Sequence, residues 1–144
     1  MSTFNPDAFL NTETAEANST SFTPVPEGEY TASVKDIKPR STDSGKAILD
    51  VVWVLDSPEA EAATGMKSPT VRQSIFLDLT DSGGLDNGKG KNVQLGKVRE
   101  ALNQNQAGKP WRPGNLLGGV AKVTVKHRLV GDDIYADIKN VAPM

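Results

Sequence analysis

Between Gly28 and Val141 the pattern of apolar residues changes period twice. It alternates with polar residues through three short runs, recurs once at helical spacing, and then alternates through two more. The first run, Glu29 to Lys38, follows the turn Pro26-Glu27-Gly28 and sets Tyr30, Ala32 and Val34 against Thr31, Ser33 and Lys35. Pro39 to Gly45 reads as a loop. The second run, Lys46 to Asp56, places Leu49, Val51, Trp53 and Leu55 on one face. After Ser57 to Ser68, read as a long hairpin loop with a helical turn, the third run spans Thr70 to Leu79. Its inward set is Val71, Gln73, Ile75, Leu77 and Leu79, and Arg72, Ser74, Phe76 and Asp78 fall opposite.

A Gly-rich loop, Asp81 to Lys91, then leads to Asn92, a helix N-cap candidate. Behind it Val93, Leu95, Val98 and Leu102 make an amphipathic helix of two to three turns, ended by polar residues and Gly108. Pro110 to Gly114 is a turn region holding Trp111. The fourth strand, Gly119 to Arg128, turns Ala121, Val123 and Val125 inward. Gly131-Asp132-Asp133 makes a hairpin into Ile134 to Val141, with Ile134, Ala136 and Ile138 inward. Three strands, a helix and two strands predict a mainly β, five-stranded OB-fold Greek-key barrel, its one helix lying between strands three and four. Such barrels mostly bind rather than catalyse, so a binding module is the first expectation.

The 144 residues are enough for one core and an appended arm. Residues 1 to 26 are rich in Ser, Thr, Asn, Ala and Glu and predict a flexible, acidic N-terminal arm before a domain of residues 27 to 144. Within it Phe4, Phe9, Leu10 and Phe22 are too apolar for a spacer, and Pro6 to Leu10 suits one helical turn. Asn18-Ser19-Thr20 matches a glycosylation sequon by chance, since no secretion signal opens the chain. No apolar run is long enough to span a membrane. With no Cys and a single His, the chain offers no thiolate or imidazole metal cluster and no nucleophilic triad. An intracellular binding protein, not an enzyme, without cofactor or metal, is expected.

The net charge of −2 conceals a division. Residues 1 to 29 hold five acids and no base, which leaves 13 acids against all 16 bases, a net of +3, in the rest. From Gly88 to Arg128 nine bases face only Glu100. That asymmetry suits a body that binds a polyanion. Cations with exposed rings are what non-specific single-strand binding needs, and the outward positions of strands three to five supply both: Arg72 and Phe76, Lys122 and Lys126, and Tyr135. The first loop adds Lys38, Arg40 and Lys46, and the Gly-rich loop adds Lys89 and Lys91. Trp53 shares parity with the core. Trp111, between Lys109 and Arg112, suits either a cap below the helix or a base stacker. Gly83 to Lys89 has P-loop spacing, but Gly90 stands where Ser or Thr would hold Mg²⁺.

Pro26-Glu27-Gly28-Glu29-Tyr30, Leu95-Gly96-Lys97-Val98, Leu117 to Val123 and Tyr135 to Val141 together resemble phage-encoded OB-fold single-stranded DNA-binding proteins over about residues 24 to 143. The resemblance implies single-stranded DNA held across a barrel by Lys46, Arg72, Phe76, Lys122, Lys126 and Tyr135. It also implies work in phage replication or recombination beside the proteins of those processes, in the cytoplasm of a bacterial host. Many such proteins end in an acidic recruiting tail, which Val141-Ala142-Pro143-Met144 does not resemble. The acidic arm is expected to compete with DNA or to dock on a neighbouring subunit of a homo-oligomer. Two other readings fit the arm and its three Phe residues: a virion or assembly protein, and an OB-fold adaptor for a replication protein.

Overall fold

The computed structural model describes residues 3–18 and 23–144. Phe22 of the arm and Ser19-Thr20 of the sequon lie outside them. The elements are a short helix α1 (Pro6–Phe9), β1 (Gly28–Ser41), β2 (Ala47–Asp56), α2 (Pro58–Thr64), β3 (Thr70–Leu77), α3 (Val93–Ala101), a 3₁₀ turn (Pro113–Leu116), β4 (Val120–Val130) and β5 (Asp133–Ala142). The strands form one open antiparallel sheet in the order β3-β2-β1-β4-β5. No ladder joins β3 to β5 among the described residues, but the two edges approach each other, and α3 packs against both.

The core is the inward face of this sheet covered by α3. Val51, Trp53, Ile75, Leu116, Val123 and Val125 are fully enclosed. Trp53 keeps its polar edge satisfied there: its Nε1–H donates to Gln73 Oε1 at 2.9 Å, which also explains an amide at an inward position. Two β-bulges reset the alternation. In β1 the register steps past Lys35, so Val34 and then Ile37 face the core. In β5 it steps past Lys139, so Ile138 and Val141 are both buried. Each bulge adds one unpaired residue and bends its strand.

Several boundaries differ from expectation for local reasons. β1 runs through Pro39 to Ser41 rather than stopping at Lys38. Beyond Ser33 it is laddered to β2 only, so the missing proline N–H falls where one side of the strand is unpaired. The Ser57–Ser68 loop contains a two-turn helix: Ser57 Oγ accepts from Ala60 N–H, Pro58 opens it, and Gly65 at φ +70° closes it. Val93, expected in the helix's buried stripe, is 53 % exposed at its first position, and Ala101 is buried with Leu95 and Val98. Leu79 and Ile134, both expected inside, are about half exposed. Leu79 lies past the end of β3, and Ile134 lies on a hairpin tip with no strand beyond it.

Candidate functional site

Side chains that alternate out of the core on β1, β2 and β3 stand in cross-strand rows. Arg40, Ile48 and Phe76 form one row; Lys38, Asp50 and Ser74 the next; Asp36, Val52 and Arg72 the third. The structure therefore brings Lys38, Arg40, Arg72 and Phe76 onto one face, with Lys46 at its rim. Phe76 is 58 % exposed, and Lys46 Nζ stands 5.9 Å from its ring centroid. Ile48 beside it is buried although it lies outside the core cluster.

The centre of this face is a buried carboxylate. Arg40 Nε donates to Asp50 Oδ2 at 2.7 Å and Ser74 Oγ donates to Oδ1 at 2.7 Å. Burial pushes the Asp50 carboxyl up. The hydrogen bonds from Arg40 and Ser74, with the charges of Arg40 and Arg72, outweigh it and hold the group below its ordinary value. The acid stays ionised and ties three strands together. Arg40 spends only one of its five N–H donors on it. Sequence reasoning missed Asp50, because alternation alone made it a solvent-facing residue.

Lys122 and Lys126 project outward from β4 on a second face. There Lys126 pairs with Asp137 and Arg128 with Tyr135. Arg128, which sequence reasoning did not select, organises that end. Its Nε bonds Asp137 Oδ2 at 2.6 Å, and its guanidinium lies 5.1 Å from the Tyr135 ring centroid. The pair is exposed on both sides. Strands three to five are thus not one laddered surface. The two faces meet across the gap between the edge strands, where Arg72, Ser74, Arg128 and Asp137 line a cavity of about 300 Å³.

Lys89 and Lys91 lie on a loop that is folded rather than loose. Leu79 bridges Leu85, Thr80 N–H donates to the Gly84 carbonyl, and Asp86 N–H to that of Asp78. Asn92 closes it. Instead of capping its helix, its Oδ1 accepts from Asp78 N–H at 2.8 Å, and its Nδ2 donates to the carbonyls of Asp78 and Asp86. Trp111 packs half-buried against the core, its Nε1–H bonded to Gln104 Oε1 at 2.8 Å and its ring covered by the Arg99 guanidinium at 4.1 Å.

His127, the single imidazole, fastens the strap that enters β1. Its Nε2 stands 2.7 Å from the Val25 carbonyl oxygen, and its backbone N–H donates to Glu27 Oε2 at 2.8 Å. That backbone hydrogen bond holds the Glu27 carboxyl below its ordinary value. The Tyr30 hydroxyl donates to the Pro26 carbonyl in the same corner. Pro6 to Phe9 forms the expected helical turn, capped by Asn5, and the Phe4 and Phe9 rings meet at a tilt of 55° with centroids 5.4 Å apart while remaining exposed. Among the described residues no group of three or more His, Cys, Asp or Glu side chains is arranged to hold a metal ion. No described helix is long and apolar enough to cross a membrane. The sequence matches no protein-family model and no curated protein.

Proposed function

We propose that the chain binds single-stranded DNA without strong sequence preference, as an OB-type module whose edge strands β3 and β5 close the sheet into a barrel. One observation carries the reading. Lys38, Arg40 and Arg72 share the outer face of β1–β2–β3 with an exposed Phe76, and Lys46 stands at its rim 5.9 Å from the ring centroid; the face of strands two and three is where OB barrels take oligonucleotides. The cations would neutralise phosphates. Phe76 would offer a stacking platform that accepts any base. Lys122, Lys126 and Tyr135 would extend the contact across the gap, and Lys89 and Lys91 would meet the backbone at the loop. The reading has no catalytic step, metal or cofactor. The family resemblance adds a setting, phage replication or recombination in a bacterial cytoplasm.

Fluorescence anisotropy with labelled oligo-dT across a salt series tests it. Each neutralised phosphate should contribute a slope of about −0.7 in log K against log salt; Lys46 and Arg72, the cations of the face outside its ion pairs among the described residues, predict at least about −1.4. No binding at low salt overturns the proposal.

A second reading, self-association or assembly through the arm, rests on the exposed Phe4–Phe9 pair and on Leu129, Val130 and Ile134 at the β4–β5 hairpin tip. Sedimentation velocity on the full chain and on a chain lacking residues 1 to 22 tests it. A smaller assembly after truncation supports it, and identical assemblies discard it.

A further inference from the structure

Three cavities share walls along one side of the molecule. The first, about 440 Å³, opens beside Phe76 and Lys46 and ends on Leu77 and Leu79. The second, about 550 Å³, begins at Leu77 and Leu79 and continues past Leu85 and Trp111 to Arg99 and Lys109. The third, about 740 Å³, shares Leu85, Asn87, Arg99 and Lys109 with the second and runs along α3 past Gly96, Lys97 and Lys91. Shared lining residues set the three in series, as a broken groove from the outer face of β3 around the loop to the helix.

The chemistry changes along its length. At the start is an exposed ring with a cation beside it. The middle carries Leu77, Leu79, Leu85 and the Trp111 ring, with Gly83, Gly84 and Asn87 among them. The far end is cationic, with Lys91, Lys97, Arg99 and Lys109 set against Glu100 alone, and with the amides of Asn87, Asn105 and Gln106 among them. None of the three lysines there makes an ion pair among the described residues. Arg99 is already positioned, its Nε bonded to the Gln104 carbonyl and its plane laid on Trp111. The helix is bare where it borders this cleft. A Cβ on Gly96 would meet only Asn105 Nδ2, at 3.9 Å, and a mid-helix glycine is unfavourable for the helix itself. A ring, an apolar stretch and a cationic end with one acid, Glu100, among four bases match a strand whose bases and phosphates are taken in turn.

We infer that this groove is the path of the single strand beyond Phe76, and that the cleft along α3 is a second phosphodiester-binding site. The inference rests on the single-strand reading above. The strand leaves the sheet at Phe76, lays its bases over Leu77, Leu79 and Leu85, and sets its backbone against Lys97, Arg99 and Lys109.

The test uses the full chain and two labelled oligo-dT lengths, about 4 and about 16 nucleotides, the span of site sizes known for OB modules. A K97Q/K109Q double variant removes two exposed cations, and Gly96→Glu places an acid on the open floor. Circular dichroism melts confirm that both fold. For the long oligonucleotide the double variant should bind at least tenfold more weakly at low salt, with a salt slope shallower by about 1.4. Gly96→Glu should weaken the same complex, and neither variant should change binding of the short oligonucleotide. If the parent binds both lengths and the variants bind the long one equally well, the path is wrong while the single-strand reading stands. Equal losses at both lengths also overturn the path, because they mark a diffuse charge effect. If the parent binds neither length, the reading and the path fall together.

Discussion

Two Arg–Asp pairs lie on the outer side of the sheet, one across β1 and β2 and one across β4 and β5, and their lengths barely differ. Arg40 to Asp50 is 2.7 Å and Arg128 to Asp137 is 2.6 Å. Each stands near a ring, Phe76 in the first case and Tyr135 in the second. Depth separates them. The Asp50 side chain is 7 % exposed and has a second donor in Ser74, whereas that of Asp137 is 41 % exposed. A carboxylate removed from water must keep its partners, because losing one leaves a charge unpaired in a poor solvent. An exposed pair exchanges its partner for water at little cost. The first pair is framework that holds the β1–β2–β3 face in register. The second is open to water on both sides, so either partner can be exchanged for solvent.

The contrast breaks most readily at Asp50. Asp50→Ala should cost about 2–3 kcal/mol in urea unfolding, below the figure for a wholly buried pair because Arg40 is 45 % exposed. A loss under about 1 kcal/mol would put the two pairs in one class. On the binding side, Phe76→Ala should weaken oligo-dT by roughly 5- to 150-fold, the worth of one stacked base. Tyr135→Ala should lose less, since its ring is less exposed and the Arg128 guanidinium lies closer to it, at 5.1 Å, than Lys46 Nζ does to Phe76, at 5.9 Å. Equal losses in anisotropy titrations would make the β4–β5 face an equal partner.

Acid titration sharpens the same difference. The folded state holds the Asp50 carboxyl below its ordinary value, so in the acid range the unfolded chain binds more protons and stability rises with pH. The contribution is complete above the ordinary carboxylate range and is lost as pH falls through the lower folded value. Asp50→Asn should flatten that limb of the stability–pH curve in chemical denaturation, and an unchanged curve would refute the assignment. The smallest effect belongs to Asp137→Ala, about 0.2–1 kcal/mol, shrinking further in high salt.

Much of this is legible in the sequence. Alternation picked out Val51, Trp53, Val71, Ile75, Val123 and Val125, because a strand with one buried face must repeat every second residue. Arg72 and Phe76 were legible as outward by the same rule. It failed where a single extra residue changes the parity: nothing in Ser33 to Ile37 marks Lys35 as a bulge, and nothing in Ile138 to Val141 marks Lys139. Asn92 was legible as a helix start but not as the clamp of its loop, since its partners Asp78 and Asp86 are brought to it by the fold.

The sequence by itself determined the order of the strands and of the helix between them, the inward set of each strand away from its bulges and ends, and the concentration of positive charge outside the acidic arm. These depend on neighbours along the chain and on which groups water excludes. Only the tertiary structure decided which outward cations share a face, that Asp50 is buried, and that the cavities beside Phe76, Trp111 and α3 lie in series. Those depend on residues far apart in sequence: Asp50 needs Arg40 and Ser74, and the groove needs walls from β3, the Gly-rich loop, α3 and Trp111. Chain order gives no measure of such distances, and burial of a polar group is set by what folds over it.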